Sequence, residues 1–145
     1  MAWPGRSSGA AASKPALEAG EGVVDTTPPL GIEMAGFHRP AGQERRITGI
    51  RRPTAARALV LRVGDAQAAI VSLDIATVSR EMTARVQQRI AGQLGIPASN
   101  IRLCATHTHS MPGFCYLRQW GAVSPEYMAT VEEKVPFFCK NEGKG

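Results

Sequence analysis

"AAIVSLDIATVSREMTARVQQRIAGQLGIPASNIRLCA", residues 68–105, changes its hydrophobic period twice, and those changes decide the fold. Residues 68–73, AAIVSL, form a nearly unbroken apolar run, the pattern of a strand buried on both faces. After Asp74 the period becomes helical: Met82, Val86, Ile90 and Leu94 recur every fourth residue. Ser79 stands where a helix N-cap belongs, and Gly95 followed by Pro97 is a stop signal, so the helix is expected over Ser79–Leu94. NIRLCA, residues 100–105, resumes a short apolar run and reads as a further strand. Strand, helix and strand with short connections make a βαβ unit, whose two strands pair in parallel through a right-handed crossover.

Upstream, ALVLRV (58–63) is separated from residues 68–73 by GDAQ and reads as the first arm of a β-hairpin with a four-residue turn. Before it, GVVDTTPPLGIEMAGF (22–37) is a short strand running into a rigid loop, since Thr-Thr-Pro-Pro can cap and turn but cannot be helix interior. Residues 1–21 are rich in Ala, Gly, Ser and Pro without periodicity and read as a disordered tail. Downstream, SPEYMATVEEKV (124–135) starts a helix capped by Ser124 with Pro125 in its first turn, and the pattern ends at Pro136 in a polar tail over 136–145. The expected fold is α/β, a hairpin plus a βαβ unit, with the structured domain over 22–135.

At 145 residues and 43% hydrophobic content the chain can bury one modest core, built from aliphatic residues because aromatics are only 6%. No apolar run reaches the roughly 18–20 residues of a membrane span, and residues 1–21 lack the apolar centre of a secretory signal. The compartment is left open. Three cysteines, Cys104, Cys115 and Cys139, do not form a disulfide framework. The net charge of +5 is concentrated in residues 38–62, where Arg39, Arg45, Arg46, Arg51, Arg52, Arg57 and Arg62 face only Glu44. Nucleic acid is disfavoured as a partner, because the stacking aromatics of single-strand and RNA binders are missing: no Phe, Tyr or Trp lies between Phe37 and Phe114. Two readings of the arginines remain: solvation of a loop and strand edge, or attraction of anionic lipid or substrate groups.

Two of the three histidines, His107 and His109, follow the last strand in ATHTHSMPG (105–113). Ligands of open parallel sheets sit beyond the carboxyl ends of the strands, where Asp74, His107 and His109 all fall. In an extended chain alternate side chains share a face, so His107 and His109 point together and Cys104 points away. Paired imidazoles suit zinc ligation or proton transfer, and they also suit a purely structural strand end. For Asp74 a turn-capping role and a role at the site stand level.

Three stretches in order carry a family resemblance over about residues 23–135. GVVDTTPPLGIEMAGF resembles the Asp-Ile-Thr-Pro-Pro opening of the neutral/alkaline non-lysosomal ceramidases, RALVLRVGDAQAAIVSLDIATVS is similar to their hairpin and Ser-Leu-Asp segment, and NIRLCATHTHSMPG resembles their Thr-His-Thr-His-Ser-Gly-Pro motif. The resemblance implies the N-terminal piece of a zinc-dependent catalytic domain that cleaves the amide of ceramide-like N-acyl sphingoid lipids. It implies that His107 is a Zn2+ ligand and that His109 is a catalytic residue lining the site against the substrate or its oxyanion. The family takes its other ligands, a histidine, a glutamate and a tyrosine, from later segments, so the chain is expected to be incomplete as a catalyst. The different-class alternative is a non-catalytic globular fragment or small basic binding module. Met111 departs from the family motif, standing where glycine is usual.

Overall fold

The computed structural model describes residues 15–118 and 120–138. Four strands, β1 (Leu17–Asp25), β2 (Ala55–Val63), β3 (Ala66–Leu73) and β4 (Ile101–Ala105), form one sheet in the order β1-β2-β3-β4. β1 pairs with β2 and β2 with β3 antiparallel, while β3 and β4 are parallel, with Ala69 opposite Ile101 and Leu73 opposite Ala105. Helix α1 (Arg80–Leu94) is the crossover between β3 and β4, and helix α2 (Pro125–Phe138) follows the histidine segment. The α/β fold, the hairpin and the βαβ unit therefore stand as the sequence reads them.

Helix α1 begins and ends on the expected signals. The Ser79 hydroxyl accepts from the Met82 amide at 3.1 Å, and Gly95 takes the left-handed C-cap conformation with its amide donating to Ala91 O at 2.9 Å. Met82, Val86 and Ile90 are fully buried. They meet the inward alternation of the sheet, Ala56, Ala58 and Val60 of β2 with Ala69, Val71 and Leu73 of β3. Helix α2 adds Tyr127, Val131 and Val135 to the same core. It is tied to α1 by Glu132, a buried carboxylate that takes both Nε and Nη2 of Arg85, at 2.9 and 2.6 Å. It is tied to the residue that follows β1 through the Tyr127 hydroxyl, which donates to Thr26 O. Burial raises the Tyr127 pKa, with the nearby Asp25 charge pushing the same way.

Four sequence expectations are corrected. β1 begins at Leu17, so residues 17–21 are strand paired with β2 rather than tail; residues 1–14 of the expected tail lie outside the described residues. The hairpin turn is Gly64-Asp65, two residues instead of four, because pairing continues to Val63 opposite Ala66. β3 is not covered on both faces: Ile70 is 45% exposed, as are Leu59 and Val63 on β2 at about the same level. Among the described residues both helices lie on one face, and small alanines elsewhere in the run made a half-exposed strand look continuously apolar. Helix α2 does not end at Pro136 but runs to Phe138, since a proline near a helix end forfeits one amide bond without stopping the last turn. Residues 139–145, including Cys139, lie outside the described residues.

Candidate functional site

The parallel pairing of β3 and β4 does not stop where the regular strands do. Thr106 N donates to Leu73 O at 2.9 Å and Thr108 N to Ile75 O at 3.2 Å. Between these two bonds His107 adopts φ +59, the left-handed region that costs a non-glycine residue about 1 kcal/mol or more. A third bond compensates: His107 Nδ1 lies 2.8 Å from Ala76 O. A carbonyl only accepts, so Nδ1 carries a proton and, in the neutral ring, Nε2 presents its lone pair towards His109. Strain, tautomer and ring direction are thus all set by the segment that extends β3.

The Nε2 of His109 lies 3.2 Å from the Nε2 of His107. This is the distance of a hydrogen bond between the rings, and it is also close to the roughly 3.3 Å between two ligands of one tetrahedral zinc ion, so His109 Nε2 can serve as a second ligand or, off the metal, as a proton-transfer group. The sequence places the two rings together by strand alternation. They do meet, for another reason: the chain is no longer extended at His107, and its left-handed turn brings the rings edge to face with centroids 4.9 Å apart. Cys104 is exposed and sits inside β4, away from this turn. Among the described residues no three His, Cys, Asp or Glu side chains come together as a metal cage.

Asp74 reaches the same end of the sheet but serves the scaffold. Its Oδ2 accepts from Ala55 N at 3.0 Å and from Arg57 Nη1 at 2.9 Å. Burial works to raise its pKa, but the hydrogen bonds from Arg57, Ala55 and Thr106 together outweigh burial and hold the carboxyl below the ordinary aspartate value. Asp74 thus fastens the end of β3 to β2, next to the segment that carries His107. Asp25 has a comparable role in the loop after β1, where Oδ1 accepts from Thr27 N at 2.6 Å and so fixes the turn into Pro28 and Pro29.

The surroundings of the histidine pair come from parts of the chain that sequence reading did not single out. The His109 ring contacts Phe37 and Trp120 edge to face, with centroids at 5.0 and 5.1 Å, and His107 lies 6.3 Å from Trp120. Gly36 N donates to Trp120 O at 2.9 Å and Ala35 N to Met111 O at 2.8 Å, which ties the loop after β1 to the segment around the histidines. Met111 is 2% exposed and is not among the residues with positive φ, so it fills the core without straining the turn. The only sequence signal for these partners was composition: Trp120 is one of two tryptophans, and Phe37 closes the first quoted motif.

The fold has counterparts among known proteins. The family model for the N-terminal part of neutral/alkaline non-lysosomal ceramidase matches residues 17–124. The fold is similar to that of the neutral ceramidase from Pseudomonas aeruginosa, with a TM-score of 0.73 and 22% identity, covering 88% of this chain and 21% of that one. It is also similar to a ceramidase complexed with C2, with a TM-score of 0.67 and 21% identity over 87% of this chain and 20% of the other. The chain thus spans about a fifth of the length of these solved relatives. No curated protein matches the sequence. A family match that starts at the first residue of β1 and runs through the histidine segment to Ser124 makes the chain a member of the neutral/alkaline non-lysosomal ceramidase family, within its N-terminal region.

Proposed function

We propose that this chain is the N-terminal piece of a zinc-dependent ceramidase-like amidohydrolase, with His107 as a zinc ligand and His109 beside it as the catalytic group facing an N-acyl sphingoid lipid of the ceramide class. The observation that carries this reading is the His107 ring itself: Nδ1 donates to Ala76 O, and Nε2 presents its lone pair 3.2 Å from His109 Nε2. When bound, zinc would supply Lewis acidity towards the amide carbonyl and activate water at neutral pH. His107 would hold the ion through Nε2, while the Ala76 carbonyl keeps the ring from turning. His109, off the metal, would exchange a proton at Nε2 with an amide oxygen or nitrogen brought within hydrogen-bond reach of it. Phe37, itself largely exposed, and Trp120 would offer apolar surface beside His109 to an acyl or sphingoid chain.

Catalytic zinc takes about three protein ligands, and the described residues bring at most two to this point. The 145-residue polypeptide by itself should therefore hold zinc weakly and hydrolyse nothing. No helix among the described residues is long and apolar enough to cross a membrane. The test is zinc content together with hydrolysis of a fluorescent N-acyl sphingosine by the purified polypeptide. Weak zinc binding lost in His107→Ala, without turnover, is expected. Stoichiometric zinc with turnover would show the site to be complete in this chain, and zinc binding indifferent to His107→Ala would remove the metal assignment in favour of a non-catalytic binding module.

A further inference from the structure

Arg45, Arg46, Arg51 and Arg52 line a single cavity of about 620 Å³. Thr108, Ser110 and Met111, from the segment that carries the histidines, form another part of its wall. No carboxylate lines it among the described residues. The ion pairs of the described residues lie elsewhere, Arg57 with Asp74, Arg62 with Glu18 and Arg85 with Glu132, so none neutralises this group. Of the four arginines, Arg46 is anchored by a bond from Nη1 to Gly31 O at 2.9 Å, and its charge also acts on Glu44.

The wall of the cavity also holds polar atoms that the protein itself leaves unpaired. Three buried side-chain polar atoms among the described residues have no hydrogen-bond partner, and two of them, Arg45 Nη1 and Thr54 Oγ1, belong to residues of this cavity. Buried donors are ordinarily satisfied, because leaving one unpaired forfeits its hydration without return. Arg45 cannot swing out to solvent freely: its guanidinium sits 5.1 Å over the Phe37 ring, and Nη2 approaches Met34 Sδ at 3.8 Å.

We propose that this cavity binds a phosphate-class oxyanion, gripped by the exposed guanidinium groups of Arg51 and Arg52. Guanidinium forks match the paired oxygens of such a group, and several like charges lining one cavity set up the potential that attracts it. The volume falls in the range of sites for whole small molecules, so the anionic group enters as part of a larger molecule or as the free ion. Arg45 and Met34 also line the neighbouring cavity that includes Phe37 and Trp120, so an occupied anion site would bear on the loop that contacts His109. This inference does not rest on the zinc assignment.

Calorimetric titration of inorganic phosphate into the 145-residue chain at low ionic strength tests it. Saturable binding is expected, weakened at least about tenfold in Arg51→Gln/Arg52→Gln. Arg80→Gln/Arg102→Gln removes the same charge from exposed positions outside the cavity and should change affinity by less than about twofold. Melting temperatures equal to the parent's establish that each variant is folded. Vesicles of phosphatidylcholine with and without phosphatidylglycerol separate the sources: competition between phosphatidylglycerol vesicles and phosphate identifies a lipid headgroup, and phosphate binding without vesicle binding identifies a soluble phosphate or phosphoester. Absence of saturable phosphate binding, or equal weakening by the two double variants, overturns the proposal.

Discussion

A Cβ on Gly36 would lie 2.5 Å from both Cγ and Nδ1 of the His109 ring. No real side chain tolerates that approach, and Gly36 also holds φ +81, a conformation that glycine alone adopts without penalty. Gly36→Ala should therefore act twice, destabilising the fold by about 1–2 kcal/mol and displacing the His109 ring from His107. Urea unfolding measures the first effect. The second would appear as a shift of the His109 ring proton resonances larger than that of any other histidine; unchanged ring shifts would show that the contact is not tight in solution.

The dependence of the site on Gly36 shows what a sequence can and cannot disclose. Helix α1 was legible because three independent local signals, the Ser79 cap, the four-residue spacing and the Gly95 stop, agree with one another. The parallel pairing followed from connection lengths alone, and with it the gathering of Asp74, His107 and His109 at one sheet end. Phe37 and Trp120 were not legible, since they reach His109 across more than seventy and about ten residues through loops with no period. The left-handed turn at His107 was hidden too: nothing in Ala-Thr-His-Thr-His marks it, because its strain is offset by acceptors on the extension of another strand. The strand over Leu17–Glu21 was missed because its Ala and Gly content mimics a flexible tail, and β2 supplies the pairing that its composition does not advertise.

Met111 stands where the family motif has glycine, yet it is 2% exposed within the main core. Its side chain packs with Phe114 and the residues under the two helices, so Met111→Ala should cost about 2–5 kcal/mol in unfolding free energy. A loss below about 1 kcal/mol would mean that the surroundings collapse into the vacated space.

Asp74 gives a pH dependence of definite sign. Burial opposes its ionisation, but the bonds from Arg57, Ala55 and Thr106 prevail and leave the folded-state pKa below the unfolded one. Its contribution is then complete above the unfolded aspartate value, about 3.9, and drains away as pH falls through the folded value. Asp25, Glu44 and Glu81 are shifted in the same direction, so the parent chain loses stability in acid through several groups. Asp74→Asn should be less stable than the parent at pH 7 and should converge on it as pH falls below about 4. Denaturant unfolding at a series of pH values reads this directly, and parallel curves for the two proteins would refute the assignment.

The two histidines should contribute unequally to zinc affinity because they are prepared unequally. His107 has its tautomer set by Ala76 O and its backbone held from both sides by Leu73 O and Ile75 O, so its Nε2 is presented without further ordering. His109 is placed by ring contacts with Phe37 and Trp120, and its Nε2 must carry the proton to bond the bare Nε2 of His107, so it has to change tautomer before it can ligate through that atom. An imidazole pair without a third protein ligand should bind zinc no better than about micromolar. Replacing His107 with Ala removes the prepared donor and should lower affinity by at least about tenfold, whereas His109→Ala should cost less, since water can take the vacated position. Competition against a chromophoric chelator on the 145-residue chain and both variants gives the order. A larger loss in His109→Ala would reverse the roles and make His109 the principal zinc ligand.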